Sequence, residues 1–312
     1  MHERISRLRE NIRRVYLGDS RSVDHLIRCV LARGHLLIED VPGVGKTVLA
    51  TALARSIDCS FSRIQLTPDM LPSDVLGVSV YDRNPTTGAG AFTFKPGPIF
   101  AQVVLADEIN RTPPRTQAAL LEAMGEGTVT TEGKTIALPT PFLLIATQNP
   151  AEFEGTYPLP ENQLDRFLMR IALGYPDPAD ERRILDLRPS GVRLHELQPV
   201  LSASELIELQ SRVDGVKLAP ALADYIVALA GASRRSGALA LGLSPRGGLA
   251  LAQVARATAL MEGRDFVIPP DITDNLGVVV PHRVIARGAV GAASAAVEDA
   301  LAEILRQVPA PA

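Results

Sequence analysis

Residues 35–47 read HLLIEDVPGVGKT, and this stretch predicts how the N-terminal half of the chain folds. Its apolar start is typical of a buried strand, and the glycines that follow break that strand into a tight loop. Lys46 and Thr47 then open the run VLATALARSI, which has the apolar periodicity of a helix. A strand, a glycine loop and a helix in this order form a cradle, because backbone N–H groups and the positive end of the helix dipole converge on phosphate oxygens.

The side chains of this loop fit a nucleotide. Lys46 is placed to reach the β- and γ-phosphates, and the hydroxyl of Thr47 to hold Mg²⁺. Gly43 and Gly45 have no side chain to keep the backbone away from the phosphates. The usual pattern GxxxxGK[ST] has glycine where this chain has Asp40, while PGVGKT is intact. A chance glycine-rich turn is the alternative, but its place between a strand and a helix favours nucleotide binding.

The composition predicts an ordinary globular protein with room for about two domains in 312 residues. The net charge of −3 and the aromatic content of 4% disfavour a nucleic-acid partner. No apolar run is long enough to cross a bilayer, and the charged N-terminal segment lacks the apolar core of a signal peptide, so we expect no membrane insertion. Cys29 and Cys59 lie among apolar neighbours, which favours buried, reduced thiols and a cytoplasmic location.

Strand-like and helix-like segments alternate from about residue 35 to 173, which predicts an α/β layer with a parallel sheet. Ligand-binding loops then lie at the carboxyl ends of its strands. The apolar strand candidates are His35–Glu39, Phe61–Leu66, Val103–Ala106, Leu143–Thr147 and Phe167–Leu173.

Two stretches interrupt this alternation. Residues 81–94 and 128–138 carry turn residues between alternating or β-branched residues, and both are predicted β-hairpins. On the sequence alone, decoration of the surface explains them as well as a function does.

The chain changes character after the prolines near residue 178, where it becomes rich in alanine and leucine. Ser202 and Ser244 are predicted helix N-caps, the second of them followed by proline. We therefore expect a nucleotide-binding core at 1–175, a linker at 176–201 and a smaller all-α domain at 202–312.

Two carboxylates follow the apolar run VVLA. Asp107 at the strand tip can hold Mg²⁺ through its water shell, and Glu108 can accept a proton from an attacking water. Adjacent acids are common on protein surfaces, but a pair directly after four apolar residues indicates a function at the strand end.

Three further polar residues are candidates for the same site. Asn149, after the strand candidate FLLIATQ, can orient the attacking water or can begin a turn before Pro150. Arg166 can stabilise charge on a neighbouring γ-phosphate or can form a surface ion pair with Asp165. Arg246 lies in the first turn of a predicted helix, where a cation opposes the helix dipole, so an anionic ligand would be a reason to tolerate it.

These motifs occur in one order along one chain, which closely resembles the MoxR-type AAA+ ATPases over nearly its whole length. The set is VPGVGKT, FxFxxGPIF, LADEINR, ATQNP, LPENQLDRF and LSPR, which is highly specific although each motif alone is weak. The resemblance implies a three-layer αβα P-loop core with a five-stranded parallel sheet, followed by the smaller all-α lid domain. It also identifies the two hairpins as the helix-2 insert and the pre-sensor-1 insert.

The resemblance further implies ATP and Mg²⁺ as cofactors and assigns the site residues by motif. Asn149 matches sensor 1, Arg166 the arginine finger and Arg246 sensor 2, and these join Glu108 as the catalytic residues. Thr47 and Asp107 are the implied metal-holding residues. The nucleotide-binding residues are the Walker A residues Gly43, Val44, Gly45, Lys46, Thr47 and Val48, together with Asp107 of Walker B.

Relatives of this kind act as rings, so the resemblance implies a homo-hexamer with ATP between one P-loop and the next subunit's Arg166. It also implies a client protein that is remodelled and a partner with a von Willebrand factor A domain. A magnesium-chelatase-type ATPase subunit, which shares the two hairpins, is the nearest alternative. A nucleotide-gated scaffold with little turnover is a second alternative, which the intact Glu108 disfavours, and a GTPase is disfavoured because no NKxD-type motif is present.

Overall fold

The computed structural model describes residues 2–83, 90–131, 133–149, 155–186, 194–288 and 295–311. The strands are β1 Leu36–Glu39, β2 Phe61–Gln65, β3 Gly77–Arg83, β4 Gly90–Pro96, β5 Val103–Asp107, β6 Thr128–Thr131, β7 Lys134–Ala137, β8 Leu143–Gln148, β9 Met169–Ile171, β10 Leu239–Leu241 and β11 Ile285–Ala286. The helices are α1 His2–Arg13, α2 Ser20–Leu31, α3 Lys46–Ser56, α4 Pro72–Leu76, α5 Pro114–Glu126, α6 Glu161–Leu164, α7 Pro178–Asp186, α8 Ala203–Asp214, α9 Pro220–Arg235, α10 Pro245–Met261, α11 Pro269–Thr273, α12 Leu276–Val279 and α13 Ala295–Gln307. Short 3₁₀ turns lie at Ile109–Arg111, Leu194–Glu196 and Pro281–Arg283.

A five-stranded parallel sheet forms the centre of the N-terminal part, in the order β2-β5-β8-β1-β9. Strands β5 and β8 are buried along nearly their whole length, as expected for a parallel sheet with both faces covered. The predicted five-stranded α/β core is confirmed, and the predicted strand bounds differ from the observed ones by no more than two residues at each end. The sheet brings the carboxyl ends of β1, β5 and β8 together at one edge.

Alternate strand residues lie in two separate hydrophobic cores. Leu36, Ile38 and Leu105 belong to one core, which they share with residues of α1, α2, α3 and the C-terminal helices. Leu37 and Val104 belong to the other core, on the face covered by α5. This alternation with a period of two produces the three-layer αβα arrangement.

Both predicted hairpins are present as antiparallel strand pairs. Strands β3 and β4 pair from Gly77 opposite Pro96 to Arg83 opposite Gly90, so this hairpin begins four residues before the predicted 81–94. Strands β6 and β7 pair from Thr128 opposite Ala137 to Thr131 opposite Lys134. Residues 84–89 and 132, which fall within the two predicted hairpins, lie outside the described residues.

The C-terminal part is helical, as predicted, with one small addition. Ser202 accepts a hydrogen bond from the backbone of Glu205 at 3.2 Å, and the Glu205 carboxylate accepts one from the Ser202 backbone at 2.8 Å, which is the predicted capping box of α8. Ser244 caps α10 by accepting from the backbone of Gly247 at 3.0 Å. The short strands β10 and β11 form an antiparallel pair, which the sequence does not indicate because segments of two or three residues show no alternation.

The predicted linker at 176–201 contains regular structure, namely α7 and the 3₁₀ turn Leu194–Glu196. Residues 187–193 lie outside the described residues. Its end is attached to the core, because the backbone N–H groups of Val200 and Leu201 donate to the carbonyl of Ser56. The division of the chain at 175 and 202 therefore stays a prediction.

Two further predictions concern cysteines and membranes. Cys29 is buried and Cys59 is half-buried, and both are free thiols. Burial raises the pKa of both thiols, and it raises the pKa of Cys59 to about 11. Within the described ranges, no helix is both long enough and apolar enough to cross a membrane.

Candidate functional site

The loop between β1 and α3 has the conformation of a phosphate cradle. Gly43 and Gly45 have φ angles of +91° and +90°, in the left-handed region that favours glycine. A Cβ on Gly43 would meet no atom within 4 Å, so this glycine serves the backbone conformation rather than close packing. Lys46 and Thr47 form the start of α3, where unpaired N–H groups and the helix dipole favour an anion.

A cavity of about 330 Å³ lies over this loop at the carboxyl ends of the central strands. Its lining includes residues from three motifs that are widely separated in the sequence, namely PGVGKT, LADEINR and ATQNP. Val44 is not among its lining residues, and its side chain is half-buried against the hydrophobic core. The lining residues are Pro42, Gly43, Gly45, Lys46, Thr47, Val48, Arg63, Gln65, Asp107, Glu108, Thr147 and Asn149.

Lys46 brings a positive charge into the loop. Its ammonium group donates a hydrogen bond to the backbone carbonyl of Asp40. Burial lowers the pKa of Lys46, and attraction to Asp40, Asp107 and Glu108 opposes that shift. Lys46 lines the same cavity as Asp107 and Glu108.

Asp40, the residue that departs from the usual loop pattern, has a structural role that glycine could not fill. One carboxylate oxygen accepts hydrogen bonds from the backbone of Leu173 at 2.6 Å and of Gly174 at 2.7 Å. The other accepts from the backbone of Val41 at 2.7 Å. Asp40 thus ties the first residue of the loop to the chain that leaves the sheet after β9.

Asp107 has partners on both of its carboxylate oxygens. Oδ1 accepts from the hydroxyl of Thr147 at 3.1 Å, and Oδ2 accepts from Nε of Arg63 at 2.7 Å. Only 7% of Asp107 is exposed, so its direction is fixed by its surroundings.

Glu108 has a strained backbone, with φ +59° and ψ +52° in the left-handed region. Such a conformation of a residue other than glycine costs about 1–3 kcal/mol and is concentrated at functional sites. Its N–H donates to the hydroxyl of Thr147 at 3.0 Å, so Thr147 holds both carboxylate residues in place. Its carboxylate accepts from Gln65 at 3.0 Å and pairs with Arg111 at 3.2 Å.

Asn149 lies directly after β8 and is 8% exposed, with its side chain lining the cavity. Because β8 neighbours β5 in the sheet, Asn149 stands beside the carboxylates that follow β5. This position fits the predicted orienting role. The alternative role in a turn concerns Pro150, which lies outside the described residues.

The structure does not place Arg166 in the cavity. Its Nη1 donates to the backbone carbonyl of Leu121 at 2.6 Å, on the side of the sheet covered by α5. The alternative ion pair of Arg166 with Asp165 is not found either. Asp165 pairs instead with Nε of Arg283 at 2.8 Å.

Arg246 also lies outside the cavity. It is exposed in the first turn of α10 and has no ion-pair partner among the described residues. Its predicted contact with the γ-phosphate therefore stays a prediction.

Arg283 is a residue that the sequence analysis missed, because it belongs to none of the recognised motifs. Its side chain is only 2% exposed, and it donates to Asp165 and to backbone carbonyls of Phe167 and Leu168. Burial lowers the pKa of Arg283 to about 10, against the opposing attraction of Asp165. These hydrogen bonds attach the C-terminal part to the segment that contains Arg166.

Arg63, Gln65 and Thr147 were also missed, although two of them left a signal. In FSRIQ, Arg63 and Gln65 are polar residues two positions apart at the end of a strand, so they share one face. Thr147 gave no signal, because a threonine near the end of an apolar strand is ordinary strand composition.

The donor set of the cavity suits Mg²⁺ bound together with phosphate. The Thr47 hydroxyl and the Asp107 carboxylate are hard oxygen donors in one cavity, and Mg²⁺ commonly takes one or two protein ligands plus phosphate and water. In the described part of the chain, no group of three or more His, Cys, Asp or Glu residues could hold a metal alone.

Comparison with known proteins agrees with this geometry. Residues 35–169 match the ATPase family associated with various cellular activities (AAA), and residues 231–304 match the AAA lid domain. The chain is 47% identical to YeaC of Bacillus subtilis, an uncharacterised protein, over 91% of this chain and 88% of that one. It is 41% identical to the chaperone MoxR1 of Mycobacterium tuberculosis, over 88% and 74% of the two chains. A crystal structure of a candidate ATPase from Cytophaga hutchinsonii superimposes with a TM-score of 0.90 at 35% identity, covering 100% of this chain and 96% of the other.

Proposed function

The chain belongs to the MoxR-type AAA+ ATPases, and we propose that it uses Mg²⁺ and ATP in a homo-hexameric, chaperone-like ring that remodels client proteins. The family hydrolyses ATP, and this chain is an ATPase. One observation carries the proposal, namely the cavity that joins Lys46 and Thr47 with Asp107, Glu108 and Asn149.

Each residue of the cavity has a distinct role in the proposed reaction. Lys46 and the N–H groups at the start of α3 bind the phosphates, while Thr47 and Asp107 would hold Mg²⁺, which when bound neutralises charge on the phosphate oxygens. Glu108 accepts a proton from the attacking water, and Asn149 orients that water. Gln65 and Arg111 both contact Oε2 of the Glu108 carboxylate, so a water bound at Oε1 would displace neither of them.

A ring would explain why Arg166 lies outside the cavity of its own chain, and a moving lid would explain the position of Arg246. Arg166 would act on the phosphate bound by the next subunit, and Arg246 would approach the γ-phosphate when the C-terminal helices close. Hydrolysis would release both contacts, so the nucleotide state and the angle of the lid would be coupled.

The hairpin of β3 and β4 supports the proposed action on proteins. Tyr81 and Phe92 are 58% and 74% exposed, and their rings contact each other with centroids 5.3 Å apart. An exposed aromatic pair on a projecting hairpin is suited to gripping a polypeptide. A partner with a von Willebrand factor A domain and a cytoplasmic location complete the proposal, the latter in keeping with two free thiols.

Two variants test the site. Lys46→Ala should lose most of its affinity for a fluorescent ATP analogue, whereas Glu108→Gln should keep that affinity and hydrolyse ATP about a hundredfold more slowly or worse. Unchanged nucleotide affinity in Lys46→Ala would contradict the assignment of the loop. Full turnover in Glu108→Gln would contradict the role of Glu108.

The same variants test the action on clients. Glu108→Gln loaded with ATP should retain client proteins in a pull-down, and Lys46→Ala, which lacks the nucleotide, is the matched control. Equal recovery by both variants would count against remodelling. Negligible turnover of the wild type under all conditions would instead favour a nucleotide-gated scaffold.

A further inference from the structure

Arg63 forms an ion pair with the carboxylate of Asp107, the group that would hold the metal. Its Nε donates to Oδ2 of Asp107 at 2.7 Å, a charge-assisted hydrogen bond. Among the described residues, Arg63 is the only cation that forms an ion pair with Asp107. The other oxygen of Asp107 already accepts from Thr147, so Oδ2 is the oxygen left to face a ligand in the cavity.

The geometry of the sheet puts Arg63 in this place. Strand β2 lies beside β5, with Arg63 opposite Leu105 and Gln65 opposite Asp107. Arg63 and Gln65 point to the same side of the strand, and Arg63 also donates to Gln65 at 3.3 Å. Both side chains line the cavity beside Lys46 and Thr47.

The two partners of the ion pair differ in how freely they can move. The Asp107 side chain is 10% exposed and is held by Thr147, while the Arg63 side chain is 50% exposed. A half-exposed arginine is released from such a pair at little cost, because water solvates the freed guanidinium. An approaching dication would also repel the guanidinium.

We propose that Arg63 is a placeholder cation, which neutralises Asp107 in the nucleotide-free protein and leaves it when Mg²⁺ arrives with ATP. This inference rests on the proposed role of Asp107 as a metal-holding residue. Displacement of Arg63 then makes the binding of Mg²⁺ alone modestly less favourable, and the phosphates that also bind Mg²⁺ offset this small cost. The site thereby selects the metal–nucleotide pair over the free metal.

A Mg²⁺ titration of nucleotide affinity tests the inference. The probe is a fluorescent ADP analogue, with its affinity measured in EDTA and across a range of Mg²⁺ concentrations. The half-effect concentration is the Mg²⁺ concentration that produces half of the change in nucleotide affinity. In Arg63→Gln it should fall about three- to tenfold, since Mg²⁺ no longer competes with a cation. Arg63→Lys keeps a competing charge and should lie closer to the wild type.

Arg111→Gln is the matched control. It removes an equal charge, but from the ion pair with Glu108 rather than from the ion pair with Asp107. Its half-effect concentration should stay within about twofold of the wild type. An equal shift in Arg111→Gln and Arg63→Gln would overturn the inference, since the effect would then be general electrostatics.

The remaining outcomes separate this inference from the proposed function. A wild type that responds to Mg²⁺ and an Asp107→Asn variant that does not would support the metal-holding role. An unchanged or raised half-effect concentration in Arg63→Gln would then overturn the placeholder role alone. A wild type whose affinity ignores Mg²⁺ would overturn both.

Discussion

Single residues decide how the carboxylates of Asp107 and Glu108 are oriented, and Thr147 is the clearest case. Its hydroxyl accepts from the backbone of Glu108 and donates to the carboxylate of Asp107. One buried side chain therefore fixes the neighbours that the sequence identified as metal-holding residue and base. The motif ATQNP directed attention to Asn149, whereas the hydroxyl two residues earlier arranges the site.

His35 leads to a prediction about stability and pH. Burial lowers the pKa of His35 to about 4. Its Nε2 hydrogen bonds to the carbonyl of Met124 and its Nδ1 accepts from the backbone of Leu144, which requires one neutral tautomer. Since the folded protein favours the neutral ring, the stabilisation is complete above the unfolded pKa of about 6.5 and is lost as the pH falls towards 4.

Urea unfolding at pH 7.5 and at pH 5.0 measures this effect. The wild type should lose about 2 kcal/mol of unfolding free energy through His35, and His35→Gln should lose less over the same interval. His25 and His282 shift in the same direction, so the difference between the two proteins isolates His35. His195→Gln, at an exposed position, is the control, and equal losses in the wild type and His35→Gln would refute the prediction.

Local pattern was enough to predict most elements. The apolar runs gave the five central strands, and the turn residues gave both hairpins. The capping patterns gave the starts of α8 and α10. These features depend on neighbours within a few residues, which is the range that periodicity and capping report.

Contacts between distant parts of the chain could not be predicted in the same way. Asp40 bonds to Gly174 across 134 positions, and Arg283 bonds to Asp165 across 118 positions. Neither pair lies within one element, so no local pattern links its members. The sequence therefore predicted only part of the cavity, since Arg63, Gln65 and Thr147 also line it. It did not predict the bonds that attach the cavity to the rest of the molecule.

The connection between the loop and β9 is open to a direct test at Asp40. Asp40→Gly restores the usual loop glycine, yet it should lower the unfolding free energy by about 1–3 kcal/mol, because the backbone groups of Leu173 and Gly174 lose their acceptor. Asp40→Asn, which keeps one acceptor oxygen, should lose less. Urea unfolding measures both.

Asp69→Gly is the control for Asp40→Gly. It removes an exposed carboxylate that is bonded to Thr67, and its effect on the unfolding free energy should be much smaller than that of Asp40→Gly. If Asp40→Gly is as stable as the wild type, the bonds of Asp40 to the chain after β9 do not stabilise the protein.

At the scale of the whole molecule, Arg283 in the lid donates hydrogen bonds to the segment that contains Arg166, the proposed arginine finger. Asp165→Asn removes the ion pair between Asp165 and Arg283, and Asp165 does not line the cavity. We expect unchanged affinity for ATP but a turnover reduced about tenfold, because a displaced finger costs transition-state stabilisation. Steady-state ATPase and nucleotide-binding measurements separate the two effects.

Asp214→Asn is the matched control, since Asp214 forms another long-range ion pair, with Arg33 at 2.6 Å, and both side chains are about half exposed. Its turnover should match that of the wild type. A loss of nucleotide affinity in Asp165→Asn would show that the substitution perturbs the cavity rather than the finger.

The central claim is that each ATPase site is shared between two subunits, and co-assembly of two inactive variants tests it most directly. Lys46→Ala keeps its Arg166 but lacks a working loop, and Arg166→Ala keeps its loop but lacks the finger. Each should be nearly inactive alone, while an equimolar mixture should recover about a quarter of the wild-type rate, because random head-to-tail neighbours complete that share of sites. A mixture no more active than its components, or full activity of Arg166→Ala alone, would contradict the shared site.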